Sequence, residues 1–252
     1  RVAKVIAEDG AEIQQGSVNK SNWCLAILRA GEGSTARAAW LDYDSGGRHG
    51  HADALNLGLF AKGLDLLPDF GYPPVQYGGW GAPRAVWYTQ TAAHNTVVVD
   101  GQNTRGGSGT ATAWIDGRQV RAVRASAAAL IGGQQYERTA VLVDASEHDS
   151  YLIDVFRVVG GREHAKFMHS HFGQITPQGL TLQPAEETAG GDQMRSWQKD
   201  AQPPPVWSVD WKVEDHLQYL PAGQDLHVRY TDVTSGCEVL TAEGWVAVGL
   251  YG

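Results

Sequence analysis

Arg48-His49-Gly50-His51-Ala52-Asp53-Ala54-Leu55-Asn56-Leu57-Gly58-Leu59-Phe60 is the stretch on which the fold reading turns. Its spacing is two, not 3.6. Read as one extended run, it places His49, His51 and Asp53 on the same face as Leu55, Leu57 and Leu59, because alternate strand residues share a face. Such a strand has core leucines at one end and polar groups at the other, as expected where a strand leaves a core and enters a site. Same-face neighbours lie about 7 Å apart, so both imidazoles can serve one pocket without binding the same ion.

Outward from this stretch the same period recurs. Strand-like runs are read at 23–29, 36–42, 54–61, 96–100, 119–125, 139–144, 151–159, 206–213, 226–233 and 237–242, separated by Gly, Asp and Asn clusters such as Gly46-Gly47, Asp100-Gly101 and Gly160-Gly161. Helix signals are thin; Ala125–Leu130 reads as a short helix limited by Gly132-Gly133. Gly71–Tyr88 and Ala185–Pro205 read as long loops. Many short strands and frequent turns predict an all-β chain, a large antiparallel β-sandwich or jelly-roll relative. No internal repeat or clear linker divides residues 1–252, so one domain is expected.

Composition supports a real core. Of 252 residues, 42% are hydrophobic and 19% charged, with 31 Gly, 9 Trp and 2 Met. Many turns and many aromatic rings suit a β fold whose rings stack on sugars. No apolar run reaches the roughly 20 residues of a membrane helix. The opening Arg1-Val2-Ala3-Lys4-Val5-Ile6 is not a signal peptide; with no initiator Met, the chain reads as part of something longer. A net charge of −8 and a pI near 5.5 argue against nucleic-acid binding. They do not exclude a polyanionic substrate, since local sign matters more than the total: from Arg84 to Arg124, five Arg stand against two acids. Cys24 and Cys237 match no zinc-ribbon or redox spacing and read as free thiols, with a bridge as the alternative.

Three side chains carry metal chemistry. Asp69 follows a hairpin-like return at Ala61-Lys62-Gly63-Leu64, which brings a carboxylate back beside His51. His94 opens the Val97-Val98-Val99 strand. His51, Asp69 and His94 then make a site for Zn²⁺, with water or another group completing a tetrahedron. His51, Asp53 and His94 also fit the His-x-Asp…His pattern of non-haem iron oxygenases, but no convincing Arg for an oxo-acid cosubstrate follows His94. Arg48, Tyr77, Trp80, Arg84, Trp87 and Tyr88 are candidates for a sugar-binding wall, because Arg pairs with carboxylate or sulfate and aromatic rings present flat apolar faces. The alternative is that Trp80 and Trp87 cover the core.

The runs His49-Gly50-His51-Ala52-Asp53, Leu67-Pro68-Asp69-Phe70-Gly71 and Ala93-His94-Asn95-Thr96-Val97-Val98-Val99-Asp100-Gly101 resemble the heparinase II/III-like polysaccharide lyases. So does the stretch from Asp144 to His169. The match is good over roughly residues 40–170 and looser elsewhere. The resemblance implies that this is the C-terminal sheet domain of a protein whose N-terminal α/α-toroid is absent here. It implies that His51, Asp69 and His94 bind a structural zinc, and that His49 is the catalytic contribution of this domain. It implies β-elimination on a uronic-acid polysaccharide, alginate-like or glycosaminoglycan-like, in the periplasm or outside the cell. A non-catalytic carbohydrate-binding scaffold is the competing reading.

Overall fold

The computed structural model describes residues 16–47, 50–71, 79, 81–186, 193–216 and 218–244. The first hundred residues supply β1 (Val18–Lys20), β2 (Leu25–Ala30), β3 (Arg37–Asp42), β4 (Asp44–Ser45), β5 (Asn56–Ala61) and β6 (Leu64–Asp65), then helix α1 (Pro83–Tyr88) and β7 (Val97–Val99). Next come β8 (Gly107–Ser108), β9 (Thr110–Asp116), β10 (Val120–Ser126), β11 (Gln135–Asp144), β12 (Ser150–Val159) and β13 (His164–Lys166). The chain continues with β14 (Gly173–Gln178), β15 (Gln183–Pro184), β16 (Met194–Asp200), β17 (Trp207–Val213), β18 (His227–Asp232) and β19 (Val239–Gly244).

Two antiparallel sheets form the sandwich, in the orders β1-β2-β3-β5-β6 and β12-β11-β10-β9. Each is hydrophobic on the facing side because its apolar residues fall at alternate positions. Ala26, Leu28, Leu41 and Leu57 from the first sheet meet Val123, Ala125, Ala140 and Leu142 from the second, with Val97 and Val99 of β7 in the same core. Burying each Leu contributes about 1.5–3 kcal/mol. Lys62 and Gly63, with φ of +55° and +87°, close the β5–β6 hairpin beneath the Ala61–Leu64 pair, the left-handed pair of a tight two-residue turn. On the outer face of the first sheet the Trp40 indole lies across Gly58, where a Cβ would fall 1.9 Å from the ring.

The layers are also pinned by charge. Arg37 on β3 donates from Nε and Nη2 to Asp144 Oδ1 at 2.9 and 2.6 Å, and Arg121 on β10 donates to Asp144 Oδ2 at 2.8 Å. Beyond β13, two smaller sheets run β14-β17-β18 and β15-β16-β19. Pro177 and Pro184 sit on their edge strands β14 and β15, the place where a missing N–H costs least.

The all-β expectation holds, with local corrections. The loop expected at Gly71–Tyr88 ends in α1, which Pro83 starts and whose Ala85, Trp87 and Tyr88 are buried. The loop expected at Ala185–Pro205 contains β16, a strand without an alternating apolar face. Ala125–Leu130 is not a helix; β10 runs to Ser126, and a 3-10 turn covers Ala128–Ile131, stopped by left-handed Gly132. Both cysteines are free, Cys24 buried and Cys237 half-buried.

A candidate metal centre

The stretch expected as a single strand is a loop up to Asn56 among the described residues. Gly46 and Gly47 have φ of +83° and +92°, and Leu55 has φ of +60°. An L-residue other than Gly seldom adopts that last conformation. The turn is closed by Asn56 N–H donating to Asp53 O at 2.9 Å and Ala52 N–H to Thr89 O at 2.8 Å. The curl matters: a straight strand would hold His51 and Asp53 apart, whereas the loop folds both into one pocket.

His94 leaves a 3-10 turn at Thr91–Ala93, and its Nδ1–H donates to Gln90 O at 2.8 Å. That bond leaves the Nε2 lone pair as the ligand atom. Asp69 follows the hairpin and Pro68. Its Oδ1 accepts from Gly71 N–H at 2.7 Å and its Oδ2 from Asn56 Nδ2 at 2.9 Å. Asn56 in turn accepts from Asn95 N–H at 2.9 Å, so one amide braces the carboxylate against the segment carrying His94.

His51 Nδ1 lies 3.0 Å from His94 Nε2. Asp69 Oδ2 is 3.5 Å from His94 Nε2, and Asp69 Oδ1 is 3.9 Å from His51 Nδ1. Asp53 completes the group: one ligand atom from each of the four residues lies within 4.8 Å of all the others. Burial holds both imidazoles below the usual histidine range, against the opposing pull of Asp69, so both are neutral ligands at pH 7. Burial first, then the Asp69 charge, pushes the Asp53 carboxyl up to about 7. One divalent cation can take both imidazole nitrogens and relieve two crowded carboxyls. Two His nitrogens with carboxylate oxygens are a zinc donor set, and the hydrogen bonds to His94 and Asp69 are the outer supports such ligands need. The residues fit the metal.

Asp53 and Asp69, competing acidic ligands in the sequence, therefore meet in one site. The His51-x-Asp53 spacing was the available signal. The bracing amides Asn56 and Asn95 carried none. Of the other candidates, Arg48, His49, Tyr77 and Trp80 lie outside the described residues, and Arg84 is on α1. Trp87 and Tyr88 are 1% and 2% exposed. They sit in a closed cluster with Phe70, whose ring centroid is 5.7 Å from Trp87 and 5.9 Å from Tyr88. His169 joins the cluster and donates from Nε2 to Ala92 O at 2.8 Å; burial pushes its pKa down to about 4. These rings are buried against one another.

Comparison with known proteins gives this arrangement a family. The model described as "Heparinase II/III-like, C-terminal" matches residues 17–175, which take in the whole sandwich and all four ligand candidates. An exo-oligoalginate lyase of Saccharophagus degradans is 38% identical over 106 residues, covering 39% of this chain and 14% of that protein. Among solved structures, a heparinase III gene product aligns with a TM-score of 0.52 at 18% identity, over 82% of this chain and 31% of its own. A heparan sulfate lyase mutant from Pedobacter heparinus aligns with a TM-score of 0.50 at 14% identity, over 96% and 44%. These two show likeness of fold. The chain spans less than half of each of these relatives. With the sheet pair, the converging ligands and a family match over most of its length, this chain belongs to the heparinase II/III-like family and corresponds to its C-terminal β-sandwich domain.

Proposed function

We propose that this chain is the zinc-bearing sheet domain of a polysaccharide lyase that cleaves a uronic-acid polysaccharide by β-elimination, with alginate-type chains as the first substrate class. The observation that carries the reading is the convergence of His51, Asp53, Asp69 and His94 inside the part that matches the family model. The alginate preference rests on the relative at 38% identity, a lyase of oligoalginate. An α/α-toroid elsewhere in the protein would supply the rest of the active site. Polymeric uronates lie outside the cytoplasm, so the reading carries a periplasmic or secreted location with it.

In such a reaction a base removes the C5 proton beside the carboxylate, the C4–O bond breaks with a proton delivered to the leaving oxygen, and a C4–C5 double bond forms. The C5 proton is weakly acidic while its carboxylate is charged, so the site must neutralise that charge and hold a base at the carbon. His49, two residues before His51, is assigned to proton transfer or carboxylate neutralisation. A metal held by His51, Asp53, Asp69 and His94 would supply rigidity to the loop that follows His49 in sequence. Arg48, Tyr77, Trp80 and Arg84 are assigned to the sugar-binding wall.

The test uses the full-length protein on alginate, oligoalginate and heparan sulfate, with product followed by the ultraviolet absorbance of the new double bond. Elimination on the alginate substrates that is lost in His49→Ala supports the reading. Unchanged product formation by that variant would remove His49 from the chemistry. Polymer binding with no elimination would favour the carbohydrate-binding scaffold.

A further inference from the structure

Strand β11 breaks its own pattern. Its inward positions alternate as Tyr136, Arg138, Ala140 and Leu142, and all four are 0–1% exposed. An arginine in the middle of an apolar face needs every donor satisfied. Arg138 achieves this. Nε and Nη2 donate to the two oxygens of Asp154 on β12 at 2.7 and 2.8 Å, and Nη2 also approaches Met168 Sδ at 3.9 Å. Lys166 reaches the same carboxylate at 2.7 Å. The remaining nitrogen, Nη1, crosses the core. It donates to Leu55 O at 2.8 Å and also to Asn95 O.

Those two carbonyls belong to the segments that present the metal ligands. Leu55 is two residues after Asp53, and Asn95 directly follows His94. Tyr136, two positions earlier on the same face, acts on the same segments. Its hydroxyl donates to Val97 O at 2.6 Å and lies 3.0 Å from Thr96 Oγ1, which donates to Ala54 O at 2.6 Å. Leu55 provides an independent sign. Its left-handed φ of +60° is strained for a leucine and persists only where the surroundings over-determine it; the guanidinium on its carbonyl is such a constraint.

We propose that Tyr136 and Arg138, on the sheet opposite the ligand loops, are positioning residues for the metal centre: together they lock the Asp53 and His94 segments to each other, and so set the affinity and coordination geometry of the bound ion. The inference rests on the metal-site reading of His51, Asp53, Asp69 and His94. A lock of this kind needs a fork with several donors. Lysine at 138 keeps a charge for Asp154 but cannot bind both carboxylate oxygens and both carbonyls.

The test loads Co²⁺ in place of zinc into the full-length protein and into Arg138→Lys, Tyr136→Phe and Arg37→Met. The last variant breaks a comparably buried ion pair, to Asp144, that touches neither ligand segment. Affinity is measured by chelator competition and geometry by the visible Co²⁺ absorption bands. Arg138→Lys should weaken Co²⁺ binding by about 10–100-fold, the usual effect of losing an outer support of a metal ligand, and shift the bands. Tyr136→Phe, which keeps the ring and drops only the hydroxyl, should do the same to a lesser degree. Arg37→Met should lower thermal stability and leave affinity and bands unchanged. Folded Arg138→Lys and Tyr136→Phe proteins with wild-type affinity and bands would overturn the inference while the metal site stands. Equal perturbation by Arg37→Met would also overturn it, by reducing the effect to general loosening. A wild-type protein that takes up no metal would overturn the metal reading and this inference together.

Discussion

The sandwich that matches the family model and the two small sheets that follow it are built on different terms. The sandwich buries leucines at 0–2% exposure between two sheets, and it also buries a guanidinium and a tyrosine whose polar atoms are satisfied. In the later sheets the buried positions are few: Val209, Val213, Val239 and the Asp200 side chain among the described residues. There the polar contacts lie on the surface, as with His227 between Asp210 and Asp225. A deep, over-determined layer holds ligand loops to a fixed geometry; a thin one cannot. The candidate chemistry sits where the depth is.

The sharpest break of this contrast is at the ligands. His94→Ala should abolish stoichiometric metal binding, measured by elemental analysis. It should also remove a stabilisation of about 4 kcal/mol at a thousandfold excess of metal over Kd. Hydrogen exchange should then rise in residues 50–71 and 90–96 and remain unchanged in β16 to β19. Retained metal in this variant would end the site as assigned.

Core deletions should separate the regions next. Leu57→Ala in the sandwich should cost about 3 kcal/mol. Val209→Ala in the later sheet removes less apolar surface and should cost about 1.5 kcal/mol. Denaturant unfolding measures both, and equal costs would erase the difference in depth between the two regions.

The regions should also respond to pH in opposite directions. Burial alone would raise the Asp154 carboxyl, but Arg138 and then Lys166 outweigh it and hold the group well below the usual carboxylate range. Its folded pKa is depressed, so its contribution is complete above the unfolded value near 4 and fades as pH falls below it. His227 is the reverse. Its bond to Asp210 raises the imidazole above its ordinary range against the opposing pull of desolvation, with Asp225 adding to the shift. Its contribution is complete below about pH 6.5 and fades as pH rises through the raised value. Amide exchange measured against pH should therefore show β11–β12 loosening in acid and β17–β18 loosening as pH rises past about 6.5. Asp154→Asn and His227→Gln should flatten the respective curves. The smallest effect concerns the thiols: Cys237 should react with a disulfide reagent before buried Cys24 does.

Much of the sandwich was legible in the sequence because its strands alternate or carry β-branched and aromatic runs, as at 36–42 and 151–159. Strands with sparse apolar residues escaped: Gly173–Gln178 and Met194–Asp200 offer no periodic apolar signal, and backbone pairing decides them. The hairpin return that delivers Asp69 was readable from Lys62-Gly63. The residues 50–55 were misread because alternation was carried through a segment that curls, and the left-handed Leu55 leaves no mark in composition. That error split Asp53 from Asp69. Arg138 was hidden for a related reason. A charged residue on a strand reads as solvent-facing, and only the partners across the core reveal that it faces inward.

The tryptophan lying across Gly58 couples two positions that share no chemistry. A methyl group added at 58 would occupy the space of the indole, so Gly58→Ala alone must evict Trp40 from its sheet face. Exchange of the glycine is therefore expected only where the tryptophan is replaced as well. The pair should drift through descent as one inherited unit, and a family alignment that treats the two columns as independent will misjudge both.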